Sequence, residues 1–105
     1  MSNEFRLKVS KEKISEFCRK WSVKELALFG SVLTEKFRED SDIDILISFS
    51  EDANHSLFDL VNMKEELEQI FGREVDLVSR RGIESSRNYL RKEAILSTAE
   101  ALYAA

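Results

Sequence analysis

Apolar positions along the chain fall into two spacings, and the spacings mark the elements. After Ser10, a suitable N-cap, Ile14, Phe17, Cys18 and Trp21 recur every three or four residues. That period predicts a helix running to about Trp21, with one apolar face. Glu25 to Phe29 (ELALF) is a short apolar run ending at Gly30, which predicts a buried strand. A short helical stretch is expected over residues 32–37. Asp42 to Phe49 (DIDILISF) is the clearest strand, because Ile43, Ile45, Ile47 and Phe49 alternate onto one face. Ser56 then opens a long helix, with Asp59 as the short-armed partner of a capping box. Its inward stripe is expected to be Leu57, Leu60, Val61, Leu67 and Ile70, with the stem of Lys64 along the edge. Gly72 is placed to stop it. Val75 to Ser79 (VDLVS) predicts a third strand, and a last helix is expected from about Ser86 to Tyr103.

The order α-β-(α)-β-α-β-α describes one domain over residues 1–105, of mixed α/β (α+β) class, with a small sheet flanked by helices. Strand directions stay open at this point. The dozen or so residues between the first two strands permit either direction.

Composition narrows the class. The apolar fraction of 43% supports a folded core, and a chain without proline implies regular elements joined by short loops. The single cysteine, Cys18, has no internal disulfide partner. It falls on the apolar helix face, which suits a core position. The first ten residues have no apolar core of the kind a signal peptide needs, and no apolar run approaches the roughly 18 residues that span a bilayer. A soluble, cytoplasmic protein with no membrane partner is expected. The net charge of −4 argues against generic nucleic-acid binding. Residues 73–92 nevertheless carry six basic residues against three acids, so that segment is +3 and the remainder −7. A solvated surface and a phosphate-facing patch would both look like this. His55 is the only histidine and lies in a polar loop, where a surface role is expected. Trp21, Phe17 and Phe58 are read as packing residues.

The stretch with chemical content is Leu28 to Phe49, LFGSVLTEKFREDSDIDILISF. Residues two apart on a strand share a face, roughly 6.7 Å between Cα atoms. Asp42 and Asp44 therefore present two carboxylates side by side while the isoleucines anchor the opposite face. Two such carboxylates repel, and no basic residue within the strand neutralises them. A divalent cation would, and all-oxygen ligands suit Mg²⁺ or Mn²⁺. A solvated acidic strand edge shows the same pattern. Asp76, inside the apolar strand VDLVS, is costly to bury without a partner. If its strand pairs beside the second one, it completes a three-carboxylate cluster. Gly30 and Ser31 end the first strand. Glycine admits φ > 0 and close ligand approach, and serine offers a hydroxyl and an amide to phosphate oxygens. Together these parts suit phosphoryl transfer, in which two cations about 3.5–4 Å apart bridge carboxylates and a triphosphate.

Gly-Ser, ten residues, Asp-X-Asp and an acid in a later strand resemble the polymerase-β-like nucleotidyltransferase superfamily. The resemblance covers nearly the whole chain, through LFGSV, FREDSDIDILISF, SLFDLV, GREVDLVSRRGI and the terminal AEALY. The short length is similar to its minimal members, the MntA-type antitoxins of HEPN–MNT toxin–antitoxin pairs. The resemblance implies a palm-like mixed sheet with flanking helices. It implies that Asp42 and Asp44 bind two Mg²⁺ ions, that Asp76 binds the catalytic one and helps deprotonate the acceptor hydroxyl, and that Gly30 and Ser31 hold the β- and γ-phosphates. It further implies ATP as donor and a tyrosine hydroxyl of a cognate HEPN ribonuclease toxin as acceptor, so that adenylylation silences the toxin. A homo-oligomer is compatible with it. Many relatives carry an arginine three residues after the serine and a glycine next to it; here Thr34 and Glu35 stand there, with Arg38 retained nearby. Those departures motivate an alternative, a non-catalytic antitoxin that neutralises its toxin by occlusion. A free-standing transferase of the aminoglycoside-modifying kind is a third reading, and it would need an acceptor-binding domain for which no residues remain.

Overall fold

The structure is a computed structural model that describes residues 10–30 and 42–104. Its elements are α1 (Lys11–Lys20), β1 (Val23–Phe29), β2 (Ile43–Phe49), α2 (Leu57–Phe71), β3 (Val75–Ser79), α3 (Arg80–Glu84), α4 (Tyr89–Thr98) and β4 (Glu100–Ala104). The strands form one mixed sheet in the order β3-β2-β1-β4. β1 is antiparallel to both β2 and β4, while β2 and β3 are parallel. A parallel pair needs a crossover, and α2 supplies it. The expected mixed sheet with flanking helices is what forms. The short helical stretch expected over residues 32–37 lies outside the described residues.

Helix ends follow the local chemistry. The Ser10 hydroxyl accepts from the Lys13 amide and starts α1. At α2 the capping box is complete: Ser56 Oγ accepts from the Asp59 amide at 3.2 Å, and Asp59 accepts from the Ser56 amide at 3.0 Å. Gly72, at φ 74°, takes the left-handed conformation that ends the helix and donates to Glu68 O.

The sheet buries both faces. Ile43, Ile45 and Ile47 point to one side and join Phe17 and Cys18 of α1 and Met63 and Leu67 of α2 in the main cluster. Each of these isoleucines is fully buried, which contributes about 1.5–3 kcal/mol apiece. Ala27, Phe29 and Leu46 point to the other side and pack on Ile83 of α3 and Ile95 of α4. Burial raises the Cys18 thiol pKa to about 12, as a core position requires.

Three expectations need correction. First, the buried stripe of α2 is Leu60, Met63, Leu67 and Ile70, with Met63 in place of Leu57 and Val61. Leu57 and Val61 are exposed, and so is Phe58 at 81%, which therefore packs on nothing in the core. Lys64 pairs with Glu68 at 2.8 Å instead of lining the core. Apolar spacing of three and four fits either stripe, and contact with the sheet decides between them. Second, the terminal helix does not run to Tyr103. A short α3 precedes it, α4 starts at Tyr89 with Asn88 as N-cap, and the chain turns at Ala99 into β4. Glu-Ala-Leu-Tyr-Ala has good helix formers, but the free edge of β1 offers a ladder, and Leu102 and Tyr103 reach the main cluster. Tertiary contact overrides propensity here. Third, His55 is not a surface residue. Its ring contacts Phe49 (4.7 Å between ring centroids) and Trp21 (5.7 Å), and Nε2 bonds Trp21 O at 2.7 Å. The loop before α2 is thus pinned to the end of α1.

Candidate active site

Sheet register decides which acids meet. In the parallel β2–β3 ladder Asp44 stands directly opposite Asp76, and Ile43 opposite Val75. Adjacent strands are about 4.8 Å apart, so two carboxylates on the same face become neighbours. Both do share a face. Leu46 and Val78, two residues further along each strand, pack together in the cluster on the α3/α4 side. The acids therefore lie on that side, at the starting ends of β2 and β3. A hydrogen bond from the Ile43 amide to Glu74 O at 3.0 Å fixes where the ladder begins. Asp42 stands just before it and is exposed.

Gly30 comes to the same end from β1. Its neighbour Phe29 pairs with Asp44 in the antiparallel ladder. Gly30 has φ 80°, and a Cβ built there would overlap the Asp44 carboxylate, whose Cγ would lie at 3.2 Å. Only glycine lets the backbone turn and pass this close to the acid. The structure thus brings together Asp44, Asp76 and Gly30, with Asp42 at the margin. Ser31, Thr34, Glu35 and Arg38 lie outside the described residues.

The electrostatics follow from this placement. The Asp44 carboxyl is held above the usual carboxylate range, first by burial, then by the charges of Asp76 and Asp42; Arg91 of α4 acts the other way. A half-buried carboxylate facing two anions is a poor resting arrangement unless positive charge arrives. Oxygen-only donors fit a hard divalent cation rather than a soft metal. Among the described residues no three His, Cys, Asp or Glu side chains are already gathered into a metal-holding group. The fit is therefore that of an open pair, Asp44 with Asp76, which a cation would complete together with Asp42 and oxygens of its ligand.

Arg91 was not singled out by sequence reasoning as a site residue. It was one of six basic residues in the segment 73–92. The available signal was its position four residues before Ile95, which places both on one side of a helix. The rest of that segment disperses. Arg80 pairs with Glu84 at 3.2 Å and with Glu25 at 3.5 Å, while Lys92 donates to Glu84 O.

Comparison with known proteins agrees with the geometry. Residues 10–100 match the family model described as a nucleotidyltransferase domain. The chain is 42% identical over 89 residues to a candidate protein adenylyltransferase of Methanocaldococcus jannaschii, covering 85% of this chain and 89% of that one. It superposes with a TM-score of 0.67 on a solved structure described as a candidate minimal nucleotidyltransferase, at 35% identity and 88% coverage of both chains. It shares its fold, at a TM-score of 0.61 and 21% identity, with a chain of a solved complex covering 90% of this chain and 70% of that one. That complex is described as a tri-AMPylated Shewanella oneidensis HEPN toxin with its MNT antitoxin. The matched span, the mixed sheet and the acids meeting at its end all lead to one assignment: the chain belongs to the nucleotidyltransferase domain family.

Proposed function

We propose that this nucleotidyltransferase transfers AMP from ATP to a tyrosine hydroxyl of a cognate HEPN toxin and acts as its antitoxin. One observation carries the reading: Asp44 and Asp76 stand side by side across a parallel ladder, with the Gly30 bend against them. The M. jannaschii relative, named for protein adenylylation, and the AMPylated toxin complex support the choice of nucleotide and acceptor.

The chemistry balances simply. The acceptor oxygen forms a bond to the α-phosphorus, the bond between the α-phosphorus and the bridging oxygen breaks, and pyrophosphate leaves. The hydroxyl proton passes to Asp76. Asp42, Asp44 and Asp76 would hold two Mg²⁺ ions, with Mn²⁺ as a substitute. When bound, these ions supply charge neutralisation for the triphosphate. Gly30 gives backbone room for the β- and γ-phosphates, and Ser31 is assigned to hold them. No membrane and no nucleic acid enter the reaction. The sequence departures at Thr34 and Glu35 keep the occlusion reading as the competitor, and the same experiment separates the two.

That experiment incubates the protein with labelled ATP, Mg²⁺ and the product of the neighbouring gene, and weighs both proteins by mass spectrometry. The expected result is one or more AMP increments on the neighbour, lost in Asp42→Asn, Asp44→Asn and Asp76→Asn. Neutralisation of the toxin without ATP and without any adduct would replace this reading by occlusion.

A further inference from the structure

The large apolar side chains that lie exposed among the described residues fall into two patches. Leu57, Phe58 and Val61 form one, on the first turns of α2. Tyr89 and Leu90 form the other, at the start of α4. Each of these side chains is more than half exposed. The two helices pack on opposite faces of the sheet, α2 through Met63 and Leu67 and α4 through Ile95. By the helical repeat, Phe58 and Leu90 lie on the far sides of their helices from these anchors. The patches therefore point away from each other and cannot meet within one molecule. Their surrounding charges are opposite. Residues 51–65 hold Glu51, Asp52, Asp59 and Glu65 against Lys64, a balance of −3. Residues 87–93 hold Arg87, Arg91 and Lys92 against Glu93, a balance of +2. Glu65 and Arg87 are exposed and, among the described residues, belong to no ion pair.

We propose that the two patches are the halves of one contact between copies of this chain, with the start of α2 in one copy seated on the start of α4 in the next. The charge pattern selects this pairing. Two α2 patches brought together would set acid against acid, and two α4 patches base against base, and like charges across an interface are penalised. An anionic lipid surface would be repelled from the α2 side. An acid-flanked patch and a base-flanked patch satisfy each other, and that one contact covers all five of the exposed side chains named above. A contact between two different surfaces is head-to-tail. It leaves one patch unused at each end of a pair, so assembly continues into a ring or an open chain. Phe58 and Tyr89 supply its aromatic anchors. Patches of this size form the centre of a small interface, so association is expected in the micromolar range and should weaken as salt rises.

The test follows the full chain by sedimentation velocity from micromolar to millimolar concentration, at low and high salt. Phe58→Gln removes the anchor of the α2 patch, and Leu90→Gln removes that of the α4 patch. Both positions are exposed, and circular dichroism and thermal unfolding check that each variant is folded. The wild type is expected to grow past a pair as its concentration rises, less so at high salt. Each variant alone should associate about ten- to a hundredfold more weakly, the scale of losing an interface anchor. Mixed, the two variants should form a one-to-one pair and nothing larger. The intact α2 patch of Leu90→Gln then meets the intact α4 patch of Phe58→Gln, and the two spoiled patches end the chain. A wild type that stays a monomer, or that stops at a pair, would overturn the proposal. Failure of the mixture to pair would overturn it too, as would disruption by Phe58→Gln alone, the mark of α2 pairing with α2. If instead the product of the neighbouring gene binds the monomer and Phe58→Gln blocks that binding, the α2 patch belongs to that partner and the proposal falls.

Discussion

Replacing Asp44 by asparagine should stabilise the metal-free protein while abolishing transfer. The cause is repulsion across the β2–β3 ladder, where Asp44 faces Asp76 with Asp42 nearby. Two unit charges roughly 5–6 Å apart repel by about 1–3 kcal/mol when the effective dielectric lies between those of bulk water and a protein surface. Asp76 is exposed and Asp44 only half-buried, so the lower end, about 1 kcal/mol, is the better figure. For a domain of this size that corresponds to a rise of about 4–8 °C in Tm. The assay is thermal unfolding in EDTA, repeated in Mg²⁺ and at several pH values. In EDTA the variant should melt above wild type, and high salt should shrink the gap. Mg²⁺ should raise the wild-type Tm and leave the variant nearly unmoved. The pH dependence has a definite sign. The Asp44 pKa is raised in the fold above its ordinary 3.8, so the native state binds more protons than the unfolded chain between those two values. Wild-type stability, relative to Asp44→Asn, must therefore fall as pH rises through that window. Titrating groups that do not interact with Asp44, such as Glu68, are common to both proteins and cancel in the difference. A variant that melts at or below wild type in EDTA, or that gains equally from Mg²⁺, would refute the reasoning.

Three further outcomes follow from single contacts. Gly30→Ala combines φ 80° with a Cβ that meets the Asp44 carboxylate, so it should cost about 1–3 kcal/mol in urea unfolding and displace Asp44 from its place, with loss of transfer. Cys18, with its thiol pushed up to about 12, should resist thiol-labelling reagents at pH 8 in the native protein and react at once in denaturant; rapid native labelling would contradict its burial. Ser56→Ala removes one half of the α2 capping box and should lower stability by about 1 kcal/mol, read from the urea midpoint at unchanged slope.

Strand residues were legible in the sequence because their constraint is local. Ile43, Ile45 and Ile47 declare a strand and its buried face by alternation alone, and Val75 to Ser79 is bounded by Gly72 and by the serine that caps α3. Capping residues were legible for the same reason: Ser10, Ser56 and Gly72 bond to backbone groups within four positions of themselves. What could not be read depended on the sheet being present. The inward stripe of α2 required knowing that Met63, not Val61, faces β1 and β2. The last residues took the free edge of β1, which no local propensity reveals. His55 looked like a loop residue because its partners, Trp21 and Phe49, are remote in sequence. The site shows the same division. Gly30 and the Asp42–Asp44 pair stood out by spacing, and Asp76 by being an acid in an apolar strand. That Asp76 meets Asp44 depended on a parallel pairing that the sequence left open, and Arg91 depended on how α4 lies.

The pairing of Asp44 with Asp76 is also the part of the site least free to drift. β2 carries its core anchors and its acid on alternate residues, so one register fixes both. Sliding β2 by one residue against its neighbours would turn Ile43, Ile45 and Ile47 out of the main cluster and drive Asp44 into it. The first loss alone is about 1.5–3 kcal/mol per isoleucine, and the buried carboxylate adds a further penalty. A repulsion of about 1 kcal/mol between Asp44 and Asp76 is small against that. The hydrophobic face therefore holds the two acids together despite their mutual repulsion, and the strain remains available for a cation to relieve. A small domain can keep such a site because the residues that fold the sheet and the residues that repel are interleaved on the same strands.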